Sequence, residues 1–355
     1  MAKVKNVIVI SQLPPPVHGS SIMTQNLVEQ LEESGVAVTM VERKFSRSIA
    51  EVGRFSIRKV WQAIKLLIDV RGTVRNFPDA PIVFFVTNRS FSLIVDWILS
   101  EYLRLARAKI FGYVHTLGWS DGAQQRSLYS FVARRLLGSC ETLVTLGDWM
   151  TADLSSLIAA DQQVKVIANA VPDPGPLQPT TSDRPVVLFL GNFIEAKGVR
   201  DFISLARAFP NSSADFLAVG APESRAQFAQ LNANVPPNLT MLPGVYGDEK
   251  TAILRGCDVL VVPSRYKYEA QPLVIVEALS YGIPVVAYSV GGIPDLLSGG
   301  GGIVVEAGAV DGLTSAVTEI LSSGSGTAAM RDSARRVFEE RFTLDRFRSD
   351  WTRIL

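Results

Sequence analysis

Glu269 and Glu277 are separated by seven residues within the stretch PSRYKYEAQPLVIVEALSYGIPVVAYSVGGIPDLL, residues 263–297. An ionised carboxylate accepts two hydrogen bonds in a fork, which suits the paired hydroxyls of a ribose or a hexose. Pro272 opens an apolar run of helical period and fits a first helical position, where its missing N–H would have been unpaired anyway. Gly282 is a natural left-handed stop. A helix over 272–281 would therefore turn free N–H groups and a positive dipole end toward the mouth of the preceding sheet, a setting for phosphate. The plain alternative makes Glu269 a loop charge and Glu277 a solvated helix residue.

Such a site needs a scaffold of strands and helices in alternation. Short apolar runs at Val7–Ile10, Ala37–Val41, Pro81–Val86, Lys109–His115 and Thr142–Leu146 read as strands, with helical patterns at SIMTQNLVEQLEESG and over 54–75. In that second pattern Ile57, Val60, Trp61, Ile64, Leu67 and Ile68 fall near one face. From Ala170 the texture changes to AVPDPGPLQPTTSDRP, stiff and poor in ladder donors, which reads as a linker. Strands then recur at Val186–Leu190, Ala214–Val219, Asp258–Val262, Pro284–Tyr288 and Gly302–Val305, with helices between them at about 198–208, 222–233, 247–255, 272–281 and 310–322. Alternation of this kind predicts two parallel α/β halves that form a cleft, with chemistry on strand-to-helix loops.

Composition narrows the field. The chain has 355 residues, 47% of them hydrophobic, with 35 Lys+Arg against 34 Asp+Glu. A near-zero net charge argues against a dedicated nucleic-acid binder. Cys140 and Cys257 stand alone, as expected in a reducing cytoplasm, and with only two histidines they make no zinc site. The balance hides an asymmetry: the first 175 residues carry 19 basic and 15 acidic side chains, the remainder 16 and 19. The surplus lies between Arg43 and Arg75, where nine cations face only Glu51 and Asp69. A basic amphipathic helix with Phe55 and Trp61 is expected to dock on an anionic membrane surface, unless its charged face is merely solvated.

The paired glutamates followed by SYGIPVVA and GGIPD resemble the signature of retaining glycosyltransferase family 4, the group 1 glycosyl transferases. VLFLGNFIEAKGVRDFI (187–203), VIANAV (166–171) and Gly300–Gly308 are similar to further family segments in the same order. The resemblance implies a GT-B fold, α/β with two Rossmann-like domains facing a central cleft. It implies an acceptor-binding domain over 1–172, a nucleotide-sugar domain over 173–340, and a C-terminal helix over 341–355 packing back on the first. Glu277 would bind the donor ribose, Glu269 the donor sugar hydroxyls, and Lys197 the diphosphate that leaves. Gly19 would let the backbone approach the diphosphate, His115 would lie near the transferred sugar, and Asp121 is a weaker acceptor-side candidate. Gly191, Asn192, Leu273 and Val274 complete the expected nucleotide-sugar set.

Three positions depart from the family pattern. Asn192 replaces the usual arginine, so Arg265 or Lys267 would have to supply a second cation. Ala270–Gln271–Pro272 replaces a glycine-rich run, which leaves Leu273 and Val274 to supply amides. Ala170 replaces the glycine after Asn169. No D-x-D triplet occurs, so neither metal nor cofactor is expected, and the resemblance implies front-face transfer with retention. The expected partners are a UDP- or GDP-sugar and a glycan or lipid-linked acceptor, in the cytoplasm or on the inner face of the cell membrane, and no nucleic acid. Nicotinamide and P-loop motifs are missing: the nearest glycine string, GSGTAA from Gly324, follows a helix. A sugar-nucleotide 2-epimerase and a catalytically degenerate GT-B partner subunit remain as rivals.

Overall fold

The computed structural model describes residues 4–43, 57–121, 127–176, 184–211, 213–245 and 247–355. The chain divides into two compact units, Met1–Ala170 with Leu344–Leu355, and Val171–Thr343.

The first unit alternates β1 (Asn6–Ser11), α1 (Gly19–Glu33), β2 (Ala37–Glu42), α2 (Ile57–Asn76), β3 (Ile82–Val86), α3 (Ser90–Leu105), β4 (Ile110–Val114), α4 (Ser127–Leu137), β5 (Thr142–Thr145), α5 (Trp149–Leu154) and β6 (Gln163–Val166). Its strands form one parallel sheet in the order β2-β1-β3-β4-β5-β6. Ile8 pairs with Thr39 on one side and Ile82 on the other. β3 is buried at every residue, because helices cover both faces of a parallel sheet. β6 has mostly exposed residues and no apolar run, which is why its sequence does not announce a strand.

Two expectations about the basic stretch change. Ala63, Leu66, Val70 and Val74 form the inward stripe of α2, while Trp61 (68% exposed), Ile64 and Ile68 (64%) face outward. Two apolar stripes compete on this helix. The inward one runs on to the last turn, whereas the other reaches Arg71 and Arg75, which cannot be buried unpaired. Arg43 is not a surface cation either: it is buried, donates to Phe85 O at 2.6 Å and pairs with Asp96 Oδ1 at 2.5 Å. Lys59 is buried as well. Lys44, Arg47, Arg54 and Phe55 lie outside the described residues.

The second unit contains β7 (Val186–Leu190), a 3-10 turn (Glu195–Lys197), α6 (Val199–Ala208), β8 (Asp215–Gly220), α7 (Arg225–Asn232), β9 (Leu239–Pro243), α8 (Gly247–Arg255), β10 (Val259–Val262), α9 (Leu273–Ser280), β11 (Val285–Tyr288), α10 (Ile293–Leu297), β12 (Gly302–Val305), α11 (Val310–Ser322) and α12 (Ser325–Arg341). Its parallel sheet runs β12-β11-β10-β7-β8-β9. Successive strands build outward from β7 in one direction and from β10 in the other. The order therefore reverses between β7 and β10, the place where open α/β sheets bind ligands. The core on one side of this sheet is aromatic, with Phe189, Phe193, Phe202 and Phe216 all buried. Asp173, at the start of the proline-rich segment, is held by Arg335 of α12 at 2.7–2.8 Å.

The last helix, α13 (Leu344–Ile354), belongs to the first unit. It buries Phe347 and Trp351, and the Trp351 ring meets Tyr113 of β4 edge-on at 5.0 Å. Arg348 reaches Gln30 and Glu33 at the end of α1.

Candidate active site

The loops after β7 and β10 hold candidate residues of the second unit. The β7 loop closes in the 3-10 turn that ends at Lys197, and Gly198 follows at φ 78°. A Cβ at Gly198 would sit 1.8 Å from the carbonyl oxygen of Pro263, so only glycine lets the two loops approach this closely. Arg265 N donates to Ala196 O at 2.8 Å, so the β10 loop is stitched to the lysine turn.

This stitching brings Lys197 onto Glu269. The ammonium pairs with Glu269 Oε1, and Ser264 Oγ donates to the same carboxylate oxygen at 2.8 Å. Glu269 is 7% exposed, and both groups meet its Oε1. The ring of Tyr266 lies 5.6 Å from the Lys197 ammonium, a favourable cation–π distance. From the other side, the backbone of Gly291 packs on Glu269: a Cβ there would lie 1.9 Å from its carbonyl oxygen, and Gly292 N donates to that oxygen at 2.9 Å.

Glu277 occupies the middle of α9. Its Oε1 accepts from Lys250 Nζ of α8 at 2.6 Å, while Oε2 is enclosed and has no partner. Leu273 and Val274 are the first two residues of α9, so their N–H groups have no acceptor inside the helix. Pro272 sits one residue earlier than the sequence suggests. It is the N-cap, with ψ 116°, rather than the first helical residue. Its ring accepts this extended conformation as readily as a helical one, and the helix entry is unchanged.

The remaining candidates are placed as follows. Arg265 makes a two-pronged pair with Asp201 of α6 at 2.8 and 3.0 Å, and Tyr288 donates to the same carboxylate at 2.9 Å. The guanidinium expected to serve the phosphates is thus held by a carboxylate that sequence reading did not single out. Gly191 N donates to Val219 O at 3.0 Å and continues the sheet ladder, so its contribution is the missing side chain. Asn192 is exposed beside it.

In the first unit, Gly19 is the first residue of α1, and the preceding His18 caps that helix by accepting from Ser21 N at 3.2 Å. His115 follows β4, stacked on Phe85 at 4.9 Å and edge-on to Tyr113 at 4.0 Å. Burial pushes its imidazole down to about 3, so the ring is neutral at neutral pH, and its Nε2 is enclosed without a partner. The loop beyond it is ordered by Asp153, whose carboxylate accepts from the amides of Gly118, Trp119 and Ser120 at 2.9–3.1 Å. Asp121 follows, partly buried. Among the described residues no group of three or more His, Cys, Asp or Glu is placed to hold a metal, and no helix is long and apolar enough to cross a membrane.

Comparisons with known proteins bear on the family and the fold. Residues 178–337 match the family model described as glycosyl transferases group 1. A GDP-mannose-dependent alpha-(1-6)-phosphatidylinositol monomannoside mannosyltransferase from Mycolicibacterium smegmatis is 30% identical over 163 residues, 43% of each chain. The chain thus spans about half the length, or less, of the curated relatives it first matches. A sucrose-phosphate synthase from Thermosynechococcus elongatus superimposes with a TM-score of 0.79 at 17% identity, over 99% of this chain and 98% of that one. The Anabaena protein HepE, solved with UDP and glucose, gives 0.73 at 16% identity over 98% of each chain. The second unit is thus similar to the glycosyl transferases group 1 over residues 178–337, and the chain has the GT-B fold.

Proposed function

We propose that this protein is a glycosyltransferase that moves a sugar from a nucleoside-diphosphate sugar to a hydroxyl of a glycan or lipid-linked acceptor, with retention of configuration and without a metal. The observation that carries this reading is the Lys197–Glu269 ion pair at the strand reversal of the second unit, with Glu277 further along the same segment in α9. Lys197 and Ser264 both engage Glu269 Oε1. A donor replaces both partners at once: sugar hydroxyls donate to Glu269, and the diphosphate accepts from the Lys197 ammonium. The amides of Leu273 and Val274 face the same anion.

The step itself asks little covalent chemistry of the protein. The C1–oxygen bond to the diphosphate breaks as the acceptor oxygen bonds to C1 on the same face, through an oxocarbenium-like state. The acceptor proton passes to the departing phosphate oxygen. Charge grows on the diphosphate during this step, so a fixed ammonium stabilises the transition state more than the ground state. His115, neutral and aromatic-packed, is suited to donate or accept a hydrogen bond near the sugar rather than to carry a charge. The solved HepE complex with UDP and glucose supports a nucleotide-sugar donor, and the matched mannosyltransferase supports a lipid-linked acceptor.

The test is to incubate the protein with UDP-, GDP- and ADP-sugars and measure nucleoside diphosphate release, alongside thermal shifts with UDP, GDP and ADP. One nucleotide should raise the melting temperature, since a ligand that binds only the native state stabilises it. Neither release nor a shift with any of them would leave the partner-subunit reading standing.

A second element of this reading is membrane association at the inner face of the cell membrane. It is favoured by the outward stripe of α2, where Trp61, Ile64 and Ile68 lie exposed among Lys65, Arg71 and Arg75, with Asp69 the one acid in that part of the helix. An apolar stripe edged with cations complements anionic lipid.

A further inference from the structure

Ser264 lies in the loop after β10 and is fully buried. Its Oγ donates to Glu269 Oε1 at 2.8 Å and accepts from Tyr266 N at 3.3 Å. Chemistry fixes the direction of both bonds, because an ionised carboxylate only accepts and a backbone N–H only donates. The loop is tied to itself a second time, where Glu269 N donates to Tyr266 O at 3.0 Å. Gly292 N, at the entry to α10, holds the carbonyl oxygen of Glu269 at 2.9 Å. The backbone that carries the carboxylate is thus held from two directions, and the serine aims the side chain.

Lys197 and Ser264 share Oε1, whereas Oε2 takes no side-chain bond among the described residues and, unlike its counterpart in Glu277, is not enclosed. The two groups on Oε1 differ in permanence. The ammonium ends a flexible four-carbon stem, is 31% exposed at the side chain, and has a diphosphate to turn to. The serine hydroxyl is buried on a short side chain and has no second anion to serve. Once the lysine leaves for the diphosphate, the serine bond is what keeps the carboxylate aimed, with Oε2 open to sugar hydroxyls. A carboxylate freed by both would regain its rotamers, and freezing them again would weaken every sugar contact.

We propose that Ser264 is a positioning residue for sugar recognition, holding the Glu269 carboxylate in place after Lys197 has left it. This rests on the reading of Glu269 as the carboxylate that meets the sugar hydroxyls. Losing the serine then weakens recognition of the sugar and leaves recognition of the nucleotide as it was.

The experiment is calorimetry of the wild type, S264A, S264T, E269A and the double variant S264A/E269A. The ligands are UDP, GDP and ADP, each beside its conjugate UDP-glucose, GDP-mannose or ADP-glucose. S264A is expected to lower affinity for the conjugate by about tenfold, the scale of one hydrogen bond to a charged group. Affinity for the matching nucleotide should stay within about twofold. S264T keeps the hydroxyl and should recover part of the loss. With E269A already present, S264A should cost less than about twofold more, because the serine acts only through that carboxylate. Unchanged conjugate affinity in S264A, equal losses for nucleotide and conjugate, or an undiminished loss in the E269A background would each overturn the role of Ser264 and leave the glycosyltransferase reading intact. A wild type that binds none of the six ligands would overturn both.

Discussion

Lys197 is the residue on which the proposed chemistry turns, and its environment sets what a substitution should do. Its ammonium is only partly exposed and already aligned by Glu269 and Tyr266, so little reorganisation is needed when a diphosphate arrives. K197M should lower kcat by about 100- to 1,000-fold, the range seen when one preorganised transition-state donor is removed. Sugar-nucleotide turnover against a folded control by circular dichroism checks this, and a loss below about fivefold would remove the lysine from the mechanism. A different residue-scale prediction concerns Arg43. Asp96 is fully buried, and burial raises its carboxyl to about 6 even though Arg43 and Thr87 pull it down. R43M leaves that charge uncompensated and should cost about 3–5 kcal/mol near pH 7. Without Arg43 the carboxyl rises further, so the variant takes up a proton at a higher pH than the wild type and the deficit should shrink as pH falls to about 6 and below. Urea unfolding of the two proteins at pH 7.5 and 5 measures the difference, and a pH-independent deficit would contradict it. Glu269 and Glu277 stand out by their spacing around a helix entry, and Lys197 by the resemblance of its segment to the family's strand, glycine and lysine pattern. Their partners Lys250 and Ser264, and the Asp201 that takes Arg265, do not. Lys250 meets Glu277 across 27 residues and Asp201 meets Arg265 across 64, and no periodicity links such positions.

At the scale of elements, the strands expected from apolar runs are all present to within a residue or two, because strands covered on both faces must be continuously apolar. The two that escape, β6 and β9, stand at sheet edges, where one side is open and the pattern fades. α2 shows a subtler failure. Its period is legible but its facing is not, since two apolar stripes share one helix and only tertiary packing selects between them. Right-handed crossovers put α2, α3 and α4 on the same side of the first sheet, and Ile94, Ile98, Leu128 and Phe131 are also exposed on α3 and α4. W61E combined with I68E alters two outward side chains and should leave folding unaffected. It should reduce flotation with vesicles containing anionic phosphatidylglycerol by at least about tenfold, given roughly 1.5–3 kcal/mol per large apolar side chain buried. Wild-type binding insensitive to salt, or unchanged in the variant, would rule the helix out as the contact.

At the scale of the whole molecule, one of the two units is discontinuous along the chain. The second unit is contiguous, but the first is completed by α13 from beyond it. Trp351 is fully buried against Tyr113 and next to Phe347, so it behaves as a core residue of a sheet whose strands were laid down some 200 residues earlier. W351A should cost the first unit about 3–5 kcal/mol, as for other large aromatic truncations. Hydrogen exchange would show faster exchange in β1, β3 and β4 while β7 and β10 stay protected. Equal loss of protection in both sheets would mean that the helix supports more than its own unit.

The position of α13 also bears on how the protein is made. Domains usually fold in the order in which they leave the ribosome. Here the unit begun first lacks its closing helix until after the second has been translated. During synthesis the nascent first sheet must wait with the Tyr113 side of its core uncovered, while the second unit has every segment it needs. The half synthesised later is the half that can finish first.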